Sequence, residues 1–259
     1  MRTLHMRTLR MAATQLKYEQ LAFWRNPLGA GFTVGFSLVF LILLGASGGT
    51  SRAGVIGGVR LIQYYVPGFL AYGVMATGFS TLAVNMVFRR QAGLLKRLRL
   101  SPLPVPVFLG AIFANILVLC VFQVVLLLAV GRLAYHVQLP HNYAALVVTL
   151  AVGVACFSAL GMAVSTLLPN EDSAPPVVNI VFFVLLFLSG LWYPINSGST
   201  LARISGYFPV RHLITATFAP FDLRPGVSAW AWGDLEVIAI WGAVAVLVSV
   251  RRMRWEPRR

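Results

Sequence analysis

The sequence predicts an all-α integral membrane protein that crosses the bilayer six times and keeps both ends on the cytoplasmic side. Three observations lead there. Of the 259 residues, 58% are hydrophobic and only 11% charged, with a mean hydropathy of +0.80. A water-soluble domain needs roughly 25% charged residues to solvate its surface, so most of this surface must face lipid. The apolar residues fall into six runs of about the length that crosses a hydrocarbon core of ~30 Å at ~1.5 Å per residue. Arginine and lysine gather at the ends of those runs, where they anchor spans on one side of a membrane.

The elements follow in chain order. Residues 7–25 read as an amphipathic helix along the membrane surface, with Leu9, Ala13 and Leu16 as a partial apolar stripe that Gln20 interrupts. Asn26-Pro27 breaks it, because proline disfavours a helical residue before it. The first span is expected at 29–46, and a glycine- and serine-rich loop at 47–58 leads to a second at 62–87. A basic segment, 88–104, ends in Ser101-Pro102-Leu103-Pro104. The third and fourth spans are expected at 106–130 and 144–167, joined by a loop carrying His136 and His141. The turn Leu168-Pro169-Asn170-Glu171-Asp172 precedes Pro175-Pro176, which suit the first turn of a fifth span at 175–191. About forty mixed residues, 192–232, separate it from a sixth span at 235–250.

The charge distribution sets the orientation. With the N-terminus inside, the N-terminal tail, the 88–104 segment and the C-terminus hold fifteen of the 21 Lys and Arg. The opposite side holds Arg52, Arg60, Arg132, Arg203, Arg211 and Arg224. Both termini are therefore expected in the cytoplasm. The net charge of +14 raises nucleic acid as a partner, but its placement at span ends favours anionic lipid or an acidic protein surface, and no nucleic acid. Arginine outnumbers lysine 19 to 2, which suits a high-GC bacterial genome and a bacterial plasma (inner) membrane. A polar segment of more than twenty residues precedes the first run, so no cleavable signal peptide is expected. Met1-Arg2-Thr3-Leu4 recurs as Met6-Arg7-Thr8-Leu9, making Met6 an alternative start.

What the spans lack narrows the function. No Asp, Glu, Lys, Arg or His falls in the middle of any run. Ion-coupled transporters need an ionisable group at membrane depth to hold the ion. Intramembrane metalloproteases and carboxylate-driven glycosyl transfer need His or acidic clusters. The amides Asn115, Gln123 and Asn179 lie at depth, where they either bond between helices or contact a substrate. Gly31 and Gly35 make a small-xxx-small pair in the first span. Cys120 and Cys156 read as small buried hydrophobes, and His136 and His141 lack a third ligand. No G-x-x-x-x-G-K-[ST] phosphate loop is present, so this chain binds no cofactor of its own and any ATP must be held by another chain.

The 88–104 segment carries the strongest functional signal. Read as a short helix, it sets Leu94, Leu95 and Leu98 on one face, with Arg90, Arg97 and Arg99 on the flanks. Such a helix either rests on anionic lipid or docks a cytoplasmic partner. The run Arg90-Gln91-Ala92-Gly93-Leu94-Leu95-Lys96-Arg97-Leu98-Arg99-Leu100-Ser101-Pro102 resembles the signature between the second and third spans of type-2 ABC exporter permeases. Phe23-Trp24-Arg25-Asn26-Pro27 is similar to that family's interface helix entering the first span. Ser189-Gly190-Leu191-Trp192-Tyr193-Pro194 and Phe208-Pro209-Val210-Arg211-His212-Leu213 resemble its fifth span and the re-entrant external hairpin that follows. Gln91 and Lys96 stand where the family often carries acids, which implies a more acidic partner surface.

The resemblance implies a permease subunit, no enzyme by itself, that pairs with a second permease subunit, identical or homologous. Two cytoplasmic ATPase subunits would bind ATP and Mg. It implies an ATPase-coupling surface of Trp24, Arg25, Arg90, Gly93, Leu94, Leu95, Arg97, Leu98, Pro102, Asn170, Glu171 and Asp172. It also implies a substrate path near the first, second and fifth spans, where Phe36, Phe40, Tyr72, Phe79, Phe183, Phe187, Trp192 and Tyr193 lie. Each of these aromatics has lipid contact or packing as its alternative. An apolar path without buried charge suits a hydrophobic or amphiphilic cargo. A membrane-embedded lipid-modifying enzyme and a non-transporting scaffold are the rival classes.

Overall fold

Helices begin where the chain supplies caps and prolines. In the computed structural model, which describes residues 2–49, 60–94, 104–192, 199–222, 224 and 226–252, every regular element is helical. Helix α1 spans Arg2–Trp24. The Asn26 side chain accepts from the Gly29 amide at 3.1 Å and Pro27 opens the first turn of α2, Pro27–Leu44. A π-helical turn, Gly45–Gly49, extends it. Helix α3, Leu61–Met75, runs through a π-helical segment, Ala76–Thr81, into α4, Leu82–Gln91, as one rod of 31 residues. Helix α5, Val105–Tyr135, ends on His136, whose φ of 54° is the left-handed closure usual at a helix C-terminus. Asn142 caps α6, Tyr143–Leu167, through the Ala145 amide at 2.9 Å.

Helix α7, Ala174–Leu188, opens on Pro175 and Pro176 as expected. It stops short of the expected 191 because Ser189 Oγ turns back onto the Leu186 carbonyl at 2.5 Å and Gly190 takes a φ of 78°. Two short helices follow, α8 at Thr200–Ser205 and α9 at Pro209–Phe218, and then α10 at Trp232–Arg252. Among the described residues, five helices are long and apolar enough to cross a membrane: Pro27–Ser47, Leu61–Gln91, Pro106–Tyr135, Tyr143–Leu167 and Trp232–Arg252. The sixth apolar run, α7, has 15 residues and a length of ~22 Å.

The α3–α4 rod is the centre of the bundle. Its most apolar stretch is 78% buried, against 22% for α10 and 28% for α2. Its π segment lies against α6 at glycines. A Cβ on Gly161 would stand 2.7 Å from the Phe79 carbonyl oxygen, so only glycine admits the crossing. Side-chain bonds between helices include Gln123 donating to Ser37 Oγ at 2.6 Å and Gln20 donating to Asn115 Oδ1 at 2.9 Å. The residue that interrupts the stripe of α1 is thus its tether. Instead of lying clear of the bundle, the second half of α1 leans along α5, with Trp24 edge-on to Phe122 at 5.5 Å.

At the other end of the bundle, α9 is inserted among α3, α6 and α10. Leu213 sits against Gly153, where a Cβ would lie 2.6 Å from Leu213 Cδ1. Gly153 is ten residues along α6, ~15 Å from its start. The Trp241 indole donates to the Tyr207 carbonyl at 2.9 Å, and His212 bridges Asp234 Oδ1 at 2.6 Å and the Gly206 carbonyl at 2.9 Å.

Candidate functional site

The end of α4 carries three consecutive polar side chains with different partners. Arg89 is held bidentate by Glu19 of α1, Nη1 to Oε1 at 2.8 Å and Nη2 to Oε2 at 2.5 Å, and its guanidinium lies 5.8 Å from the Phe108 ring centroid. Gln15 donates a further bond to Glu19 Oε1 at 3.0 Å. Arg90 is only 4% exposed. It donates to the Ser165 carbonyl at 3.1 Å and to the Leu168 carbonyl, and reaches Pro169 at 3.5 Å. Gln91 donates to the Pro169 carbonyl at 2.9 Å. Carbonyls at a helix C-terminus have no partner within their own helix and carry partial negative charge. Arg90 supplies both the donors and the countercharge at the end of α6.

The chain then reverses. The Gly93 amide bonds the Arg90 carbonyl at 3.1 Å and Gly93 takes a φ of +67°, the left-handed residue that ends a helix. The 88–104 segment read from the sequence as a short helix is therefore interrupted at Gly93, and its first part is the end of the central rod. Leu94 is 45% exposed. The expected coupling residues Leu95, Arg97, Leu98 and Pro102 lie outside the described residues. Beyond α6, the Asn170 side chain accepts from the Ser173 amide at 3.0 Å, which shapes the turn into α7 and leaves Glu171 and Asp172 exposed.

The structure thus brings Arg90 against the 168–169 backbone, one to four residues before Asn170, Glu171 and Asp172. It does not gather Trp24 and Arg25 with them. Trp24 meets Phe122, which is 14 residues further along α5 than Phe108, a rise of ~21 Å. Arg25 is exposed beside Trp24.

The expected aromatic path divides into three groups. Phe36, Phe40, Tyr72 and Trp192 form one cluster: Phe36 lies 4.4 Å from Phe40 and stacks on Tyr72 at 5.0 Å, and Phe40 meets Trp192 at 5.3 Å. Phe183 and Phe187 are more than half exposed on α7, while Phe79 is 2% exposed inside the π segment. Tyr193 lies outside the described residues. The cluster includes two rings the sequence reading passed over, Phe69 and Phe182. Phe69 stands three residues before Tyr72, so helical spacing could have found it, whereas Phe182 is recognised only by what crosses it.

Below the cluster, a cavity of about 410 Å³ opens between α1, α2, α4 and α5, with Asn179 of α7 at its edge. Glu19 and Arg89 stand in its wall together with Asn85 and Asn115. Phe32 lines the cavity and meets Phe36 at 5.6 Å, so the cavity and the ring cluster are continuous. Of these, Glu19 and Asn85 escaped the sequence reading. Glu19 is the single acid among the basic residues of the first 25, a signal that was available. Asn85 lies four residues before Arg89, on the same helical face.

No group of three or more potential metal ligands exists among the described residues. The arrangement offers mechanical linkage and a polar-to-aromatic cavity.

Residues 13–221 match the family model described as ABC-2 type transporter, a stretch that begins inside α1 and ends just past α9. The chain is also 25% identical, over 188 residues, to the Bacillus subtilis (strain 168) protein named "Putative transport permease YvfS", covering 72% of this chain and 75% of that one. The chain is a multi-pass membrane protein of the ABC-2 type transporter family.

Proposed function

We propose that this chain is the membrane-spanning subunit of an ATP-driven exporter that moves a hydrophobic or amphiphilic cargo out of the cytoplasm or inner leaflet. It pairs with a second permease subunit, and two soluble ATPase subunits bind ATP and Mg. One observation carries this reading. Arg89, Arg90 and Gln91 fasten the end of the central rod to α1 on one side and to the turn between α6 and α7 on the other. A push applied just beyond Gly93 therefore moves α1, α4, α6 and α7 together, which is what a remote ATPase needs in order to bias a two-state membrane domain. The missing phosphate loop fits an energy source in another chain.

The basic clusters support a reading in which the Arg90 end and both termini lie on the cytoplasmic side of a bacterial inner membrane. In this reading α7 completes a sixth crossing, with Pro169–Ser173 as its inner turn. The α8–α9 pair is a re-entrant hairpin from the outer side, supported by the ~15 Å depth of the Leu213 contact on Gly153.

The test is co-expression with a soluble ATPase encoded beside this chain. Co-purification and cargo-stimulated ATP hydrolysis are expected, and Leu94→Glu is expected to weaken both. An ATPase that neither binds the chain nor responds to any hydrophobic cargo would contradict the reading.

A further inference from the structure

We propose that the cavity between α1, α2, α4 and α5 is the head-group site for an amphiphile whose head is uncharged and rich in hydrogen-bonding groups, such as a glycosyl or polyol head. Its chain would lie along Phe32 and Phe36. The place of this site on a transport route rests on the export reading above, whereas its chemistry rests on the wall of the cavity. At about 410 Å³ the cavity is of the size that takes a small ligand.

Besides the Glu19–Arg89 pair, the polar groups of the wall are amides and hydroxyls set among apolar side chains. Asn115, 9% exposed, lines the cavity; its Oδ1 already accepts from Gln20 at 2.9 Å, and its Nδ2 donates to no described residue. Asn85, Asn179 and Ser80 also line the cavity and have no hydrogen-bond partner among the described residues. Amides and hydroxyls that line a cavity at membrane depth gain from a ligand that bonds them, and each amide offers both donors and an acceptor. A head carrying several hydroxyls answers both needs.

Charge is excluded by prior commitment. The charged residues on the wall, Glu19 and Arg89, are bound to each other through two bonds, with Gln15 on Glu19 as well. An anionic or cationic head must either break this pair or remain unpaired in a medium of low dielectric constant, and both are costly. The tail has a distinct seat. Phe32 is 69% exposed and leads from the cavity to Phe36, which contacts Phe40 and Tyr72.

The experiment uses the full chain in phosphatidylcholine nanodiscs and an octyl glucoside carrying a photoreactive diazirine on its alkyl chain. Octyl phosphate and octyltrimethylammonium probes of the same length serve as the charged comparisons. With the diazirine on the chain, the glucoside is expected to label segments 32–40 and 69–72, beside Phe32, Phe36 and Tyr72, in preference to either charged probe. Asn85→Leu and Asn179→Leu, both at exposed positions and so compatible with an unchanged unfolding temperature, should each reduce labelling about threefold to tenfold. Equal labelling by all three probes, or unchanged labelling in both variants, overturns the proposal. Methyl glucoside, a head without a chain, should compete far more weakly than octyl glucoside, and equal competition overturns the amphiphile assignment. Labelling requires no ATPase. Labelling as expected with no ATP-driven transport would overturn the export reading alone, and transport without this labelling would overturn the present proposal alone.

Discussion

Replacing Arg90 by leucine separates an internal clamp from a surface contact. Arg90 donates to the Ser165 carbonyl at 3.1 Å and to the Leu168 carbonyl, and it is 4% exposed. Hydrogen bonds to a charged group contribute ~1.5–3 kcal/mol each, or ~3–6 kcal/mol for the two. Keeping the guanidinium dry offsets several kcal/mol of that. Leucine relieves this cost but leaves two buried carbonyls unpaired, at ~1–3 kcal/mol each. The expected net loss is about 2–4 kcal/mol, a fall of roughly 5–15 °C in unfolding temperature for a chain of this size. Arg90→Lys keeps the charge but loses the planar fork, so about half of that loss is expected. Heating the purified protein while following maleimide labelling of the buried Cys120 and Cys156 gives the readout. If Arg90→Leu unfolds within about 1 °C of the native protein while ATPase stimulation collapses, Arg90 serves the partner and the clamp reasoning is wrong.

Further outcomes follow from neighbouring contacts. Glu19→Gln and Arg89→Gln should each cost about 1–3 kcal/mol, and the double variant less than their sum; additivity in a thermal double-mutant cycle would deny the ion pair its energetic role. Gly161→Ala should lose about 1–3 kcal/mol because its Cβ meets two backbone oxygens at 2.7 and 2.8 Å, while Gly110→Ala, with nothing within 4 Å, should not destabilise; equal effects in thermal unfolding would contradict the close crossing. Gly93→Ala should cost ~1–2 kcal/mol for its left-handed backbone alone, since no atom lies within 4 Å, and Gly93→Asn should cost less. A stability ranking in which alanine and asparagine are equivalent would argue against that turn.

Much of the fold is legible because its determinants are local. Hydrophobic run length marks the spans, Asn26-Pro27 and Pro175-Pro176 mark helix starts, and the basic clusters mark one face of the membrane. The π segment at Ala76–Thr81 has no local mark, since its register answers to the approach of Gly161 from α6. Gly93 was legible as a motif but not as a helix stop, because Leu94, Leu95 and Leu98 just beyond it fall at helical spacing. Arg90 reads as one more basic residue at a span end. Its burial depends on where α6 terminates, 75 residues further on. The same limit applies to the cavity. Asn115 was visible as an amide at depth, but Glu19, Asn85 and Phe32 join it only through the crossing of four helices.

The most direct measurement of the central claim is transport itself. The chain would be reconstituted with its partner ATPase in proteoliposomes containing a fluorescent glycosyl amphiphile, and the label's leaflet followed by quenching from outside. The account predicts leaflet transfer that requires ATP, both proteins and an intact Arg90 clamp. Transfer by the chain alone without ATP, or chemical alteration of the amphiphile in place of movement, would contradict it.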